Sequence, residues 1–151
     1  MNENDFVYTV DTETGALSLL RAEEENMYSS VGSDCRYGGG EPCQVRGEDV
    51  FHLTTRWGDS HLYRLSPDGS SHPVITEHGS IDCFAVSPET DTVLLVAMYD
   101  CKLQELYTYN LTSRQLNQVS HFNDACLAGK YVAEPQPLRL ESCGLEIEAG
   151  S

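Results

Sequence analysis

The sequence predicts an all-β fold, part of a β-propeller, with about two four-stranded antiparallel blades and flanking strands. The first observation behind this is the stretch Leu106–Asp124, LYTYNLTSRQLNQVSHFND. It alternates apolar and polar residues, breaks at Asn110–Arg114, and alternates again through Leu116 and Val119. Two runs of period two around a polar turn make a β-hairpin. The second observation is recurrence. Leu62–Gly79 (LYRLSPDGSSHPVITEHG) and Val7–Glu25 (VYTVDTETGALSLLRAEEE) repeat the pattern, each opening on an aliphatic residue followed by Tyr. Leu62 and Leu106 lie 44 residues apart, inside the roughly 40–50-residue period of propeller blades. Val7 and Leu62 lie 55 apart, which fits the same unit carrying a loop insertion. The third observation is that no segment keeps a helical period for more than two turns.

Residues 1–27 read as the last hairpin of a preceding blade, with strands Phe6–Val10 and Leu17–Arg21 around the turn Thr12–Gly15, where Gly15 supplies a positive φ. Residues 28–40 form a glycine-rich loop, GSDCRYGGG at its centre. Three consecutive glycines can cradle a phosphate, but no strand precedes them and no helix with a Lys-Ser or Lys-Thr pair follows. A loop crossing between blades is the preferred reading. Residues 41–79 make the first complete blade, with strands Glu41–Arg46, Asp49–Thr55, His61–Leu65 and Pro73–Glu77, and SPDG as the strongest turn signal. Residues 80–121 make the second, with strands Ile81–Ser87, Thr92–Met98, Gln104–Asn110 and Gln115–Ser120. The second strand of each blade is the most apolar (Val50, Phe51, Leu53; Val93, Leu94, Leu95, Val96), as expected of a strand covered on both faces. Truncating Leu94 or Val96 is therefore expected to destabilise far more than changing Ser70 or Gln118. Residues 122–151 leave the repeat as a strand at Lys130–Ala133, a proline-containing linker, and a hairpin of Leu138–Glu141 with Leu145–Glu148.

Twenty-four acidic residues against nine basic ones give a net charge of −15, which disfavours nucleic acid and anionic membrane as partners. No apolar run is long enough to span a bilayer. The N-terminus MNENDF lacks the basic and apolar regions of a signal peptide, which points to the cytoplasm, although a chain beginning mid-protein would look the same. The six cysteines and five histidines are scattered without ligand spacing or a CxxC pair, so neither a metal site nor a disulfide framework is expected, nor any cofactor. Most of the thiols, Cys83 above all, read as small packing residues. Gly-x-Ser-x-Gly, the frame that exposes a serine nucleophile at a strand-to-helix turn, is absent. Asp59-Ser60-His61 holds the residue types of a catalytic triad, but sequence neighbours cannot converge as nucleophile, base and orienter. No catalytic residue is assigned.

The loop GSDCRYGGG, the pairs HLYRL and ELYTY, the segment VSHFND and above all the exit PQPLRLESCGLEIE resemble the acylaminoacyl-peptidase (dipeptidyl aminopeptidase-like) branch of the prolyl oligopeptidase family. In that family a propeller of about seven blades covers an α/β-hydrolase domain, and a segment of this form crosses between the two. Glu134-Pro135, Leu138, Leu140, Ser142, Gly144, Leu145 and Ile147 follow it, while Ala149-Gly150-Ser151 stand where the family has Gly-Trp, as a truncation would leave them. Related WD40-like and TolB-like propellers share the hairpins, so the exit segment is the discriminating one.

The resemblance implies a non-catalytic piece of an oligopeptide-cleaving serine peptidase, filtering access to a hydrolase domain. Its partners would be that domain and short peptides. Contacts with them would fall to Asp34, Arg36 and Tyr37 in the glycine-rich loop and to Arg56 and Trp57 in the next. Arg36 suits a peptide carboxylate, although pairing with Asp34 or a neighbouring blade to fix the loop is the favoured role, and Trp57 reads as a packing residue between loops. The alternatives are a stand-alone propeller-type protein-binding module and a periplasmic TolB-like propeller. With both end faces of the repeat left apolar, self-association is also expected.

Overall fold

The computed structural model describes residues 5–25, 27, 43–134 and 136–150. Strand β1 (Asp5–Val10) pairs antiparallel with β2 (Leu17–Glu25). Side chains shape their turn: Asp11 Oδ1 accepts from the backbone N–H of Glu13 (3.0 Å) and of Thr14 (2.7 Å), and Thr14 Oγ1 accepts from that of Ala16 (3.3 Å). The bonds to Asp11 hold its carboxyl below the ordinary pKa.

Two groups of four strands follow. The first is β3 (Cys43–Arg46), β4 (Asp49–Arg56), β5 (Asp59–Leu65) and β6 (Ser71–Ile75); the second is β7 (Gly79–Val86), β8 (Thr92–Tyr99), β9 (Glu105–Asn110) and β10 (Leu116–Gln118). Every neighbouring pair within a group is antiparallel. Pro73 sits on β6, an edge strand, where its missing N–H costs no ladder bond. In place of two separate sheets, one parallel bridge, Ser60 to Ser80, joins the groups into a single eight-stranded array. The bridge forms because β7 must enter beside β5 to stack the second blade on the first.

Directly paired residues share a face, so the registers sort the side chains. On the first blade Phe51, Leu53 and Leu62 face forward, towards the second blade; on the second, Phe84, Val93, Leu95, Tyr107 and Tyr109 face back. Together they form the core, with Leu62, Val93 and Leu95 at 0% exposure. Tyr99 and Tyr107 meet edge to face with centroids 5.0 Å apart.

Polar bonds surround this core. The Gln44 side-chain amide acts as an extra peptide group between the two inner strands, donating to Phe84 O (2.9 Å) and accepting from Val86 N–H (2.8 Å). Ser60 Oγ donates to Ile81 O (2.9 Å), Tyr109 Oη to Val74 O (3.0 Å), and Arg46 pairs with Asp91 at 2.7 Å. At the other face of the first blade, Arg21 Nη1 donates to Gly69 O (3.1 Å) and the Leu20 carbonyl presses on Gly69, so the N-terminal hairpin lies against the SPDG turn.

Three sequence expectations change. β4 is buried on both faces from Phe51 to Thr54, but β8 is covered on one face only. Leu94 is 43% exposed and Val96 half-buried, because both point forward, away from the first blade. Lys130–Ala133 is not a strand: among the described residues no strand pairs with it, the Lys130 N–H donates to Leu127 O (3.0 Å), and Tyr131 is exposed. The thiols of Cys43, Cys101, Cys126 and Cys143 are exposed rather than packed. Cys101 and Cys143 occupy turns at positive φ. Cys83 is half-buried, and burial pushes its pKa up.

The chain leaves the second blade around Glu105. Burial opposes ionisation of this carboxylate, but hydrogen bonds from Ser120 Oγ, Asn123 N–H (2.7 Å), Phe122 N–H (3.1 Å) and Asn123 Nδ2 (3.0 Å) outweigh it and hold its pKa below the ordinary value. A single turn of helix, α1 (Asp124–Leu127), follows. The exit hairpin is β11 (Pro137–Ser142) paired with β12 (Leu145–Gly150). No helix among the described residues is long and apolar enough to cross a membrane.

Candidate functional site

The β4–β5 turn, Arg56-Trp57-Gly58-Asp59, is where sequence-predicted contact residues meet the exit hairpin. Trp57 holds φ +55, a left-handed backbone conformation that bulky residues seldom adopt. The conformation leaves its ring half exposed, with the Arg139 guanidinium 4.6 Å from the ring centroid. Arg139 Nε in turn lies 3.4 Å from Glu148 Oε2, and Glu148 Oε1 accepts the Gly58 N–H at 3.2 Å. Arg139 and Glu148 are cross-strand partners in the exit hairpin. The hairpin's charged face therefore closes over the Trp57 turn through one stacked cation and one backbone hydrogen bond. An exposed cation–π contact of this kind contributes about 0.5–1 kcal/mol. Arg56 points the other way, its guanidinium 5.7 Å from the Tyr63 ring centroid.

Asp59, the last residue of the turn, collects three groups. Oδ1 accepts Gly79 N–H (3.1 Å), Oδ2 lies 2.9 Å from His78 Nδ1, and the same oxygen is 3.8 Å from His61 Nε2. The hydrogen bond and charge of Asp59 raise the His78 pKa above the ordinary 6.5, with Glu134 and Glu148 adding to the field. Burial lowers that of His61, although Asp59 and Glu77 oppose the shift. A cleft of about 740 Å³ opens beside this cluster, lined among others by His78, Met98, Lys102, Val132 and Glu134.

The His78 pairing sets a pH dependence. A pKa raised on folding adds stability that is complete below the unfolded value near 6.5 and is lost as pH rises through the folded pKa. NMR titration of His78 should give a midpoint above 6.5, and Asp59→Asn should return it towards that value. An unchanged midpoint in Asp59→Asn would show that the pair does not form.

A second cleft, about 830 Å³, lies at the opposite rim between the blades, lined by Arg46, Arg64 and Arg114 with Asp49, Glu77 and Asp91. Its charges are largely paired internally, Arg46 with Asp91 and Arg64 with Asp49 at 3.7 Å. Asp59-Ser60-His61 is no triad: Ser60 is fully buried and bonded to Ile81 O, and Asp59 turns to His78. Asp34, Arg36 and Tyr37 lie outside the described residues. Arg139, Glu148 and His78 were not anticipated, because they reach the turn from 82, 91 and 21 positions along the chain from Trp57 and no spacing rule connects them.

No family model and no curated protein matches the sequence. Solved structures do. Pyrococcus horikoshii acylaminoacyl peptidase in an orthorhombic crystal form is 17% identical, with a TM-score of 0.69 over 98% of this chain and 20% of that one. An acylaminoacyl peptidase in complex with Z-Gly-Gly-Phe-chloromethyl ketone gives 16% identity and a TM-score of 0.63 over the same shares. Uncomplexed Pyrococcus horikoshii acylaminoacyl peptidase gives 18% and 0.59 over 72% of this chain and 16% of that one. The chain thus spans about a fifth of the length of the first of these. At such identities the likeness is one of fold: the chain is a partial β-propeller whose structural neighbours are acylaminoacyl peptidases.

Proposed function

We propose that this chain is a non-catalytic propeller portion of a prolyl oligopeptidase-family serine peptidase, set over a hydrolase domain and filtering short peptides to it. The observation that carries the proposal is the exit hairpin. Leu138, Leu140, Leu145 and Ile147 lie on one of its faces, each about half exposed or more, while Arg139 and Glu148 on the other face close on the Trp57 turn. An isolated two-stranded ribbon is marginal in water. One whose inner face is tied to the blades and whose outer face is apolar suits a crossing segment seated between two bodies. Trp57 would then fix the angle at which the crossing leaves the propeller, and the His78 cleft beside it would face the second domain.

The test compares this chain with a product that includes its natural downstream sequence. A fluorophosphonate probe should leave the 151-residue chain unlabelled. It should label one serine in the longer product, which should cleave short acylated peptides and leave folded proteins intact. Labelling of a serine within the 151 residues, or a longer product without a reactive serine, would overturn the proposal.

A further inference from the structure

We infer that two copies of this chain join head to tail, the back of one copy's N-terminal hairpin packing on the forward face of the next copy's second blade. The inference concerns the 151-residue chain by itself, and it rests on the repeat and not on the peptidase reading. Three units begin alike, Val7-Tyr8, Leu62-Tyr63 and Leu106-Tyr107, and in strands the two residues of each pair face opposite ways. Leu62 faces forward and is fully buried; Tyr107 faces back and is 5% exposed; both belong to the one core cluster between the blades. The interface inside the chain therefore sets Phe51, Leu53 and Leu62 on a forward face against Phe84, Val93, Leu95, Tyr107 and Tyr109 on a backward face.

Among the described residues, a counterpart of each half recurs with exposed apolar side chains. In the hairpin Tyr8 pairs with Leu19 and Val10 with Leu17, so all four share the backward face, at 54%, 49%, 57% and 67% exposure. On the second blade Leu106 pairs with Val96 and Leu94 with Ala85, giving a forward face on which Leu94 and Ala85 are exposed and Val96 and Leu106 half-buried. The hairpin already stacks in the same sense, since Val7 pairs with Arg21, both half-buried, Arg21 donates to Gly69 O, and the Leu20 carbonyl meets Gly69. A second copy placed on either end would continue the stacking already present. The two surfaces differ, so the contact is heterologous and yields a closed ring or an open stack, according to the rotation per copy. The net charge of −15 opposes it, and added salt relieves that repulsion.

Sedimentation velocity at micromolar concentration should show self-association that strengthens with salt. Leu94→Glu and Leu19→Glu each place a charge on one face without touching the core, and each should weaken association by roughly tenfold or more. Tyr131→Glu, at a 92% exposed position on neither face, should have no effect. Mixing the two single variants should give a one-to-one dimer and nothing larger, because one intact forward face and one intact backward face remain. Circular dichroism and melting should confirm that the variants stay folded. A chain that remains monomeric would overturn the inference, as would variants that fail to pair when mixed. So would association that survives Leu94→Glu and disappears in Leu140→Glu, which would place the contact on the exit hairpin.

Discussion

Leu62→Ala should lower stability by about 2–5 kcal/mol, the range for a fully buried leucine that leaves a cavity. Leu62 lies at 0% exposure between Leu53 on β4 and Ile75 on β6 and presses on the second blade. Leu94→Ala, on the uncovered face, should cost about 1 kcal/mol or less in dilute solution. Urea unfolding with an unchanged m-value is the measurement. Equal midpoint shifts for the two variants would mean that the blades do not stack as described. This contrast reverses the expectation from composition, under which Leu94 belongs with the buried residues. Val93 and Leu95 carry the core instead, and Val96 is half-buried on the uncovered side.

Gly79→Ala should be at least as damaging. Gly79 opens β7, where the chain passes from one blade to the other, and its φ of +144 lies where L-residues rarely go. A Cβ there would sit 2.4 Å from Met98 O and 2.5 Å from Tyr99 Cδ1, so backbone would have to move. Backbone strain and overpacking each cost about 1–3 kcal/mol, which together gives about 2–6 kcal/mol. Gly47→Ala is the comparison: φ is +64, but nothing lies within 4 Å of the added carbon. It should cost about 1–2 kcal/mol from conformation alone. Gly79→Ala melting no lower than Gly47→Ala would remove the close approach from the account.

Strands and turns were legible because their causes are local. Period-two alternation marks β4, β5, β8 and β9, and Asp11-Thr12-Glu13-Thr14-Gly15 and Ser66-Pro67-Asp68-Gly69 mark turns by the side-chain and glycine chemistry they contain. Which face of a strand is covered was not legible, because it depends on whether another blade stands beyond it. Leu62 and Leu106 occupy the same repeat position, yet only Leu62 is fully buried. The strand expected at Lys130–Ala133 failed for a related reason, since alternation makes a strand only beside another strand, and among the described residues none pairs with this segment. At the candidate site Trp57 could be singled out as a conspicuous aromatic in a turn. Its partner Arg139 could not, for the contact exists only once the exit hairpin has folded back across the rim.

A force that slides β4 along β5 is shared by seven paired positions, from Val50–Leu65 to Arg56–Asp59. Among the described residues, a force that parts the two blades meets one ladder position, Ser60–Ser80, the side-chain bonds of Gln44, Asp59, Ser60, Tyr109 and Arg46, and the apolar core the two faces share. Backbone pairing is accordingly dense within each plate and sparse at the joint, where side chains and the shared apolar face hold the two together, like leaves bound along one seam. Thermal bending should concentrate at that seam, widening and narrowing the angle between the plates while each keeps its own shape.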